Sequence, residues 1–299
     1  MKYIIDTDPG IDDAIAIMLG VKNNLDIIGF TLASGNIPIE KAEKNLKVIQ
    51  DFLQSDIKMY KGSKNNKCNK KTAEYAHGKD GLGYAVFPDN SKRKFEKISA
   101  EDFIIKSSKK YKDDLTVICF GPLTNLANAI KKDKGLALRL KHVLIMGTSY
   151  DPDRDDLYGE FNVKIDPKAA NIVFNTPFED IKLVTHEIGV KSFIEKDYIR
   201  NLRNSEDLVS RFVANIAEKY IEFSYNHYGT IGLGTPDPTT IASIINPCIV
   251  KFEPCRVKLS INNDNVPAFE VKLAEESNIK VSTDFDLAAF RRVFKDTFK

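Results

Sequence analysis

The chain has 299 residues, 42% of them hydrophobic, with 44 basic and 42 acidic side chains and a formal charge of +2. That length buries an ample core without staples, and the balanced charge excludes the broad basic field of a nucleic-acid or membrane-surface binder, so the expected partner is a small molecule. Cys68, Cys119, Cys248 and Cys255 lack CxxC spacing and no apolar run reaches bilayer length, so we expect reduced thiols, a cytoplasmic setting and no membrane partner.

Apolar spacing predicts a strand over 3–8, a helix over 12–21, a strand over 27–33 and a helix over 38–53 opened by proline. After a lysine- and asparagine-rich stretch at 63–71, read as a solvated loop, the alternation resumes. A strand is expected over 115–120, a helix over 123–130, a strand over 142–146 and a helix over 167–174. Continuous Val/Ile/Leu runs point to a buried, mainly parallel sheet flanked by helices. A long helix over 206–225, a Gly/Pro-rich turn over 229–238 and a strand-like end over 255–281 follow. With no repeat or linker in view, the expectation is one α/β domain over 1–299.

Asp6-Thr7-Asp8-Pro9-Gly10-Ile11-Asp12-Asp13 puts four carboxylates into eight residues between the first strand and the first helix. Carboxylates this close repel one another, and burying them unpaired is costly, so the segment stays solvated or gathers around a cation. Oxygen-only donors suit a hard ion such as Ca²⁺ or Mg²⁺ rather than Zn²⁺, with Ca²⁺ first on ligand chemistry. A turn at Asp8-Pro9-Gly10 with Asp12 capping the helix explains only part of the segment. An Asp-x-Asp strand end also fits a phosphatase of the haloacid dehalogenase type, which leaves the Asp12-Asp13 pair unexplained.

Asp6 to Ala14 resembles the N-terminal signature of the inosine-uridine preferring nucleoside hydrolase family, and further blocks follow in that family's order. They are Ala33-Ser34-Gly35-Asn36, His77-Gly78-Lys79-Asp80-Gly81-Leu82-Gly83, Gly121-Pro122-Leu123-Thr124-Asn125, Met146-Gly147, and Glu160-Phe161-Asn162 leading into Asp166-Pro167. The resemblance implies a Ca²⁺-dependent hydrolase of the ribonucleoside N-glycosidic bond, acting as a homodimer or homotetramer. By the same resemblance, Asp8, Asp13, the carbonyl of Thr124 and Asp237 hold the ion, and Asp8 is the base that activates water. Asp12, Asn36, Met146, Glu160 and Asn162 fall at substrate-binding positions.

Two departures bear on the chemistry. Where many family members carry a leaving-group histidine before the distal aspartate, this chain has Pro236, which has no proton to give. His77 and His227 are the candidates to replace it, with His142 and His186 explained by their place at a strand edge and after a strand. Where the family usually places an asparagine near the sugar's 5′ end, this chain has Arg154: facing the pocket, its fork of donors would suit a phosphate or carboxylate, and the favoured expectation is a surface arginine paired with its aspartate neighbours. Loss of the histidine also leaves open a protein that binds a ribosyl ligand without turning it over.

Overall fold

The computed structural model describes residues 1–62, 72–88, 90–151, 160–261 and 267–299. The first half of the chain runs through β1 (Lys2–Thr7), α1 (Ile11–Lys22), β2 (Ile27–Leu32), α2 (Ile39–Leu53), β3 (Met59–Lys61), α3 (Glu74–His77), α4 (Ala100–Tyr111), β4 (Leu115–Cys119), α5 (Thr124–Lys132) and β5 (His142–Met146). Then come α6 (Phe161–Ile165), α7 (Pro167–Phe174), β6 (Asp180–Val184), α8 (His186–Lys191), β7 (Phe193–Glu195), α9 (Lys196–Asn201), α10 (Leu208–Tyr228), β8 (Gly232–Gly234) and α11 (Pro236–Ile245). The chain closes with β9 (Val250–Ile261), β10 (Pro267–Leu273), β11 (Ile279–Phe285) and α12 (Leu287–Thr297).

Nine strands form one sheet in the order β10-β9-β11-β6-β5-β4-β1-β2-β3, parallel from β11 to β3, with β9 and β10 antiparallel at one edge. Helices cover both faces, which is why its central strands read as unbroken apolar runs. Ile5, Ile118, Leu144 and Met146 enter the core under α1, α10 and α11, while Ile4, Val117, Cys119, Val143 and Ile145 enter the core under α4, α5 and α7. This is the two-residue period of a strand written into two separate cores.

Chain direction reverses at the centre of the sheet. From β1 the chain steps outward to β2 and β3, then returns to β4 on the other side of β1. The loops after β1 and β4 therefore part and leave a crevice at the strands' carboxyl ends, the usual ligand site of such sheets.

The strand over 142–146 and the helix over 167–174 stand as expected, and the other predicted boundaries agree to within three residues. The end of the chain differs. Residues 229–238 are more than a turn: they hold β8 and the start of α11, because Pro236 occupies the first helical position, where its missing N–H costs nothing. The strand-like end resolves into β9, β10 and β11. The first helix is preceded by Gly10, and Asp13, not Asp12, reaches back to its N–H at 3.0 Å.

Candidate active site

Asp8 leaves the end of β1 fully buried. Its Oδ2 accepts the backbone N–H of Asn36 at 2.7 Å, while its Oδ1 has no hydrogen-bond partner. Two glycines make room for it: a Cβ on Gly35 would lie 2.2 Å from Oδ2, and one on Gly121 would lie 2.4 Å from Oδ1. The loops after β2 and β4 therefore close on the carboxylate from either side.

Asp13 is held more tightly. Its Oδ1 accepts from the Thr7 hydroxyl at 2.5 Å and the Asp8 N–H at 3.2 Å, and its Oδ2 from the Gly10 N–H and the Asn36 amide at 2.9 Å. Asp12 accepts the Tyr220 hydroxyl at 3.2 Å and the Asp13 N–H. From far along the chain, Asp237 arrives in the first turn of α11, buried and with its Oδ1 unpartnered. One oxygen each from Asp12, Asp13 and Asp237 lie within 4.8 Å of one another.

Above these carboxylates opens a cleft. Asn36, Glu160, Asn162, Met146 and Phe120 line one part of it, and Tyr75, His77, His186, Tyr220, Phe223 and Tyr228 line another. Glu160 caps α6, accepting the Asn162 N–H at 2.9 Å, and the Asn162 amide donates to the Phe120 carbonyl at 2.6 Å. Thr148, after β5, sits at φ 77°, a left-handed conformation rare for a β-branched residue. That geometry directs its N–H toward the Glu160 carboxyl and lets its carbonyl accept the His186 N–H at 3.1 Å.

Burial governs the electrostatics. It raises Asp8 well above the ordinary aspartate value, reinforced by Asp13, and raises Asp237 likewise, reinforced by Asp12 and Asp13. Asp12 and Asp13 are pushed up to about 6, and Glu160 and Asp6 to about 7, again chiefly by desolvation. The same burial lowers His77 to about 4, against the pull of Asp13. Its Nδ1 accepts the Ile11 N–H at 3.2 Å, which leaves the proton of the neutral ring on Nε2.

These values describe carboxylates short of positive charge, and no lysine or arginine lines the cleft among the described residues. The unpartnered Oδ1 atoms of Asp8 and Asp237, a trio of carboxylates within 4.8 Å and all-oxygen donors fit a hard divalent cation. The cluster can therefore hold a metal.

Of the expected ion ligands, Asp13 and Asp237 fall in the tight trio together with Asp12, and Asp8 lies beside Asp13. Thr124 begins α5, its hydroxyl donating to Asp166 at 2.7 Å. Asp12, Asn36, Met146, Glu160, Asn162 and His77 all line the cleft. His227 does not: it is exposed on α10, its Nδ1 set 3.2 Å from the Phe223 carbonyl. Arg154 lies outside the described residues. Sequence reading passed over Tyr220, which stacks on His77 with ring centroids 5.1 Å apart, and gave little weight to His186. The spacing of Tyr220, Phe223 and Ser224, a stripe of one helical face, was the available signal.

Comparison with known proteins identifies the family. The family model described as inosine-uridine preferring nucleoside hydrolase matches residues 3–292. Uridine nucleosidase 1 of Arabidopsis thaliana is 31% identical over 257 residues, covering 84% of this chain and 76% of that protein. The inosine-uridine preferring nucleoside hydrolase of Crithidia fasciculata is 26% identical, covering 97% of this chain and 94% of its own. Among solved structures, a purine-preferring ribonucleoside hydrolase from Gardnerella vaginalis superimposes with a TM-score of 0.89 at 26% identity, covering all of this chain and 98% of that one. The chain belongs to the inosine-uridine preferring nucleoside hydrolase family and is an N-glycosyl hydrolase.

Proposed function

We propose that this chain hydrolyses the N-glycosidic bond of ribonucleosides with Ca²⁺ bound by Asp8, Asp13, Asp237 and the Thr124 carbonyl, and with Asp8 as general base. The observation that carries the reading is Asp8 itself: fully buried, its Oδ1 unpartnered, beside Asp13 and beneath a cleft lined by sugar-binding polar groups. Bound there, Ca²⁺ supplies the positive charge the carboxylates lack and acidifies water at the site.

The side chains then divide the work. Asp8 accepts the proton of the attacking water through its free Oδ1, held in place by the Asn36 N–H. Asp12, Asn36, Glu160 and Asn162 receive the ribose hydroxyls. The carboxylate-rich floor stabilises positive charge as the sugar ring approaches an oxocarbenium ion. Because hydroxyl-specific sites penalise an analogue that leaves their buried polar groups unpaired, ribose is favoured over deoxyribose. Arg154 stays a candidate for the 5′ end, and a homodimer or homotetramer is the assembly we infer from the family. Cys119, Cys248 and Cys255 are free thiols, which supports a reducing, cytoplasmic setting. No helix among the described residues is long and apolar enough to cross a membrane.

Reducing-sugar release from inosine, adenosine, guanosine, uridine, cytidine and p-nitrophenyl riboside in the presence of Ca²⁺ tests the reading. Turnover of at least one natural ribonucleoside, with its 2′-deoxy analogue far slower, is the expected result. Silence across the panel would remove it.

A further inference from the structure

Breaking an N-glycosidic bond sends the bonding pair onto a ring nitrogen of the base, and a proton supplied as the bond breaks contributes ~10²- to 10⁴-fold. Pro236 offers none. It starts α11 against α8, so closely that a Cβ on Gly189 would lie 2.7 Å from its own Cβ. The face of α8 that meets it presents His186, Gly189 and Val190 to the cleft, spaced i, i+3 and i+4.

Other proton-bearing groups on the cleft wall are poorly placed. The Tyr220 hydroxyl is committed to Asp12, and burial pushes the Tyr228 phenol up to about 12. Burial raises the Tyr75 phenol too, and Ser224 and Thr230 offer only aliphatic hydroxyls, weaker acids still. His77 carries its proton on Nε2 and spends Nδ1 on a backbone N–H, so it donates a hydrogen bond but has no ready second proton. His227 is exposed at the rim, its ring 4.3 Å from that of Phe223 and 6.1 Å from that of Tyr75, outside the cleft wall itself.

His186 is the remaining histidine of the cleft wall. It is half-buried, its backbone is pinned by the Thr148 carbonyl, and its ring meets Tyr228 edge-on with centroids 5.2 Å apart. The geometry points to His186 as the proton donor to the departing base, acting from α8 beside the position where Pro236 provides none. This assignment rests on the hydrolase reading above. The C1′–N bond breaks with its electron pair passing to the base. That base nitrogen takes the proton of the His186 imidazolium, water oxygen bonds to C1′, and the water proton passes to Asp8. Neutral His186 regains a proton from solvent, and Asp8 returns one.

Burial lowers His186 below the ordinary histidine value; Glu187 beside it on α8 opposes the shift and Lys164 on α6 adds to it. The imidazolium is therefore a stronger acid than free histidine and is lost as pH rises through a range below histidine's ordinary 6.5. Hydrolysis of a poor leaving group should slow over that range. A p-nitrophenyl leaving group, which needs no proton, should not show the limb.

The test compares the parent with His186→Ala and His186→Gln as full-length chains with Ca²⁺. We expect kcat on inosine or uridine to fall ~10²- to 10³-fold, with the decline on approach to neutral pH abolished. Turnover of p-nitrophenyl riboside should stay within about threefold of the parent, well below the size of a lost general-acid effect, and this also shows that the variant folds. If Ala disrupts folding, Gln decides. Equal losses on both substrates, or no loss on either, overturn the assignment while the parent's turnover keeps the hydrolase reading. A parent inert on both overturns the two together.

Discussion

Asp13 caps its own helix by accepting the Gly10 N–H and also fixes the site by accepting from Thr7, Asp8 and Asn36. One carboxylate thus ties the start of α1 to the loops after β1 and β2. Asp8 has the opposite character, with one oxygen anchored and the other free. Replacing it with Asn should lower kcat by ~10³-fold or more, as loss of a positioned base does. The same change removes a buried carboxyl that the metal-free fold must hold protonated, so at neutral pH the metal-free protein should melt at a higher temperature than the parent. A metal-free melting temperature that drops with activity would contradict this account of the floor. Gly35→Ala forces its Cβ against Asp8 Oδ2 and should weaken Ca²⁺ affinity ~10- to 100-fold, the scale of mispositioned ligand support, measurable by calorimetry. The aspartates were legible in sequence because three of the four lie within six residues, where their repulsion demands an explanation. Thr148 and His186 were not, since a left-handed backbone and a position after a strand leave no local pattern, and the helical stripe that holds Tyr220 reads equally as core.

Helices carry the distant parts of the site. Most of α1 is buried and packs on α11, which brings Asp237 beside Asp12 and Asp13. Long α10 aims Tyr220, Phe223 and Tyr228 at the cleft and ends at Gly229, φ 67°. No atom lies within 4 Å of a Cβ there, so Gly229→Ala should cost only the left-handed conformation, about 1 kcal/mol. Urea unfolding measures it; an unchanged midpoint would show that the turn is not fixed by its glycine. The elements from β1 to α2 and from β4 to β5 were readable because each carries its own period, whereas β3, α3 and α4 between them were not predicted. The region holding β8 and α11 was not, because Gly and Pro density signals a turn unless proline's place at a helix start is recognised.

Across the molecule, the parallel sheet sets the crevice and the crevice concentrates buried acid. Without metal, Asp6 and Glu160 titrate near 7 and Asp12 and Asp13 near 6, all above their unfolded values near 4. Groups with raised folded values bind more protons when folded, so their stabilisation is complete below about pH 4 and disappears as pH rises through about 7. His77, lowered to about 4, acts in the opposite direction, but it is one group against several. The metal-free melting temperature should therefore fall between about pH 5 and 8, and added Ca²⁺ should raise it more at pH 8 than at pH 5. Thermal scans at the two pH values check both signs, and a metal-free profile flat with pH would contradict them.

The central claim is that one buried carboxylate floor both binds the cation and drives hydrolysis. It is tested most directly by titrating Ca²⁺ into chelator-stripped protein while following binding heat and nucleoside hydrolysis in parallel. The account predicts negligible activity in the stripped protein, one ion per chain and activity rising in step with occupancy, with Asp8→Asn inactive at every concentration. Full turnover by the stripped protein, or Ca²⁺ binding at full occupancy without activity, would contradict it.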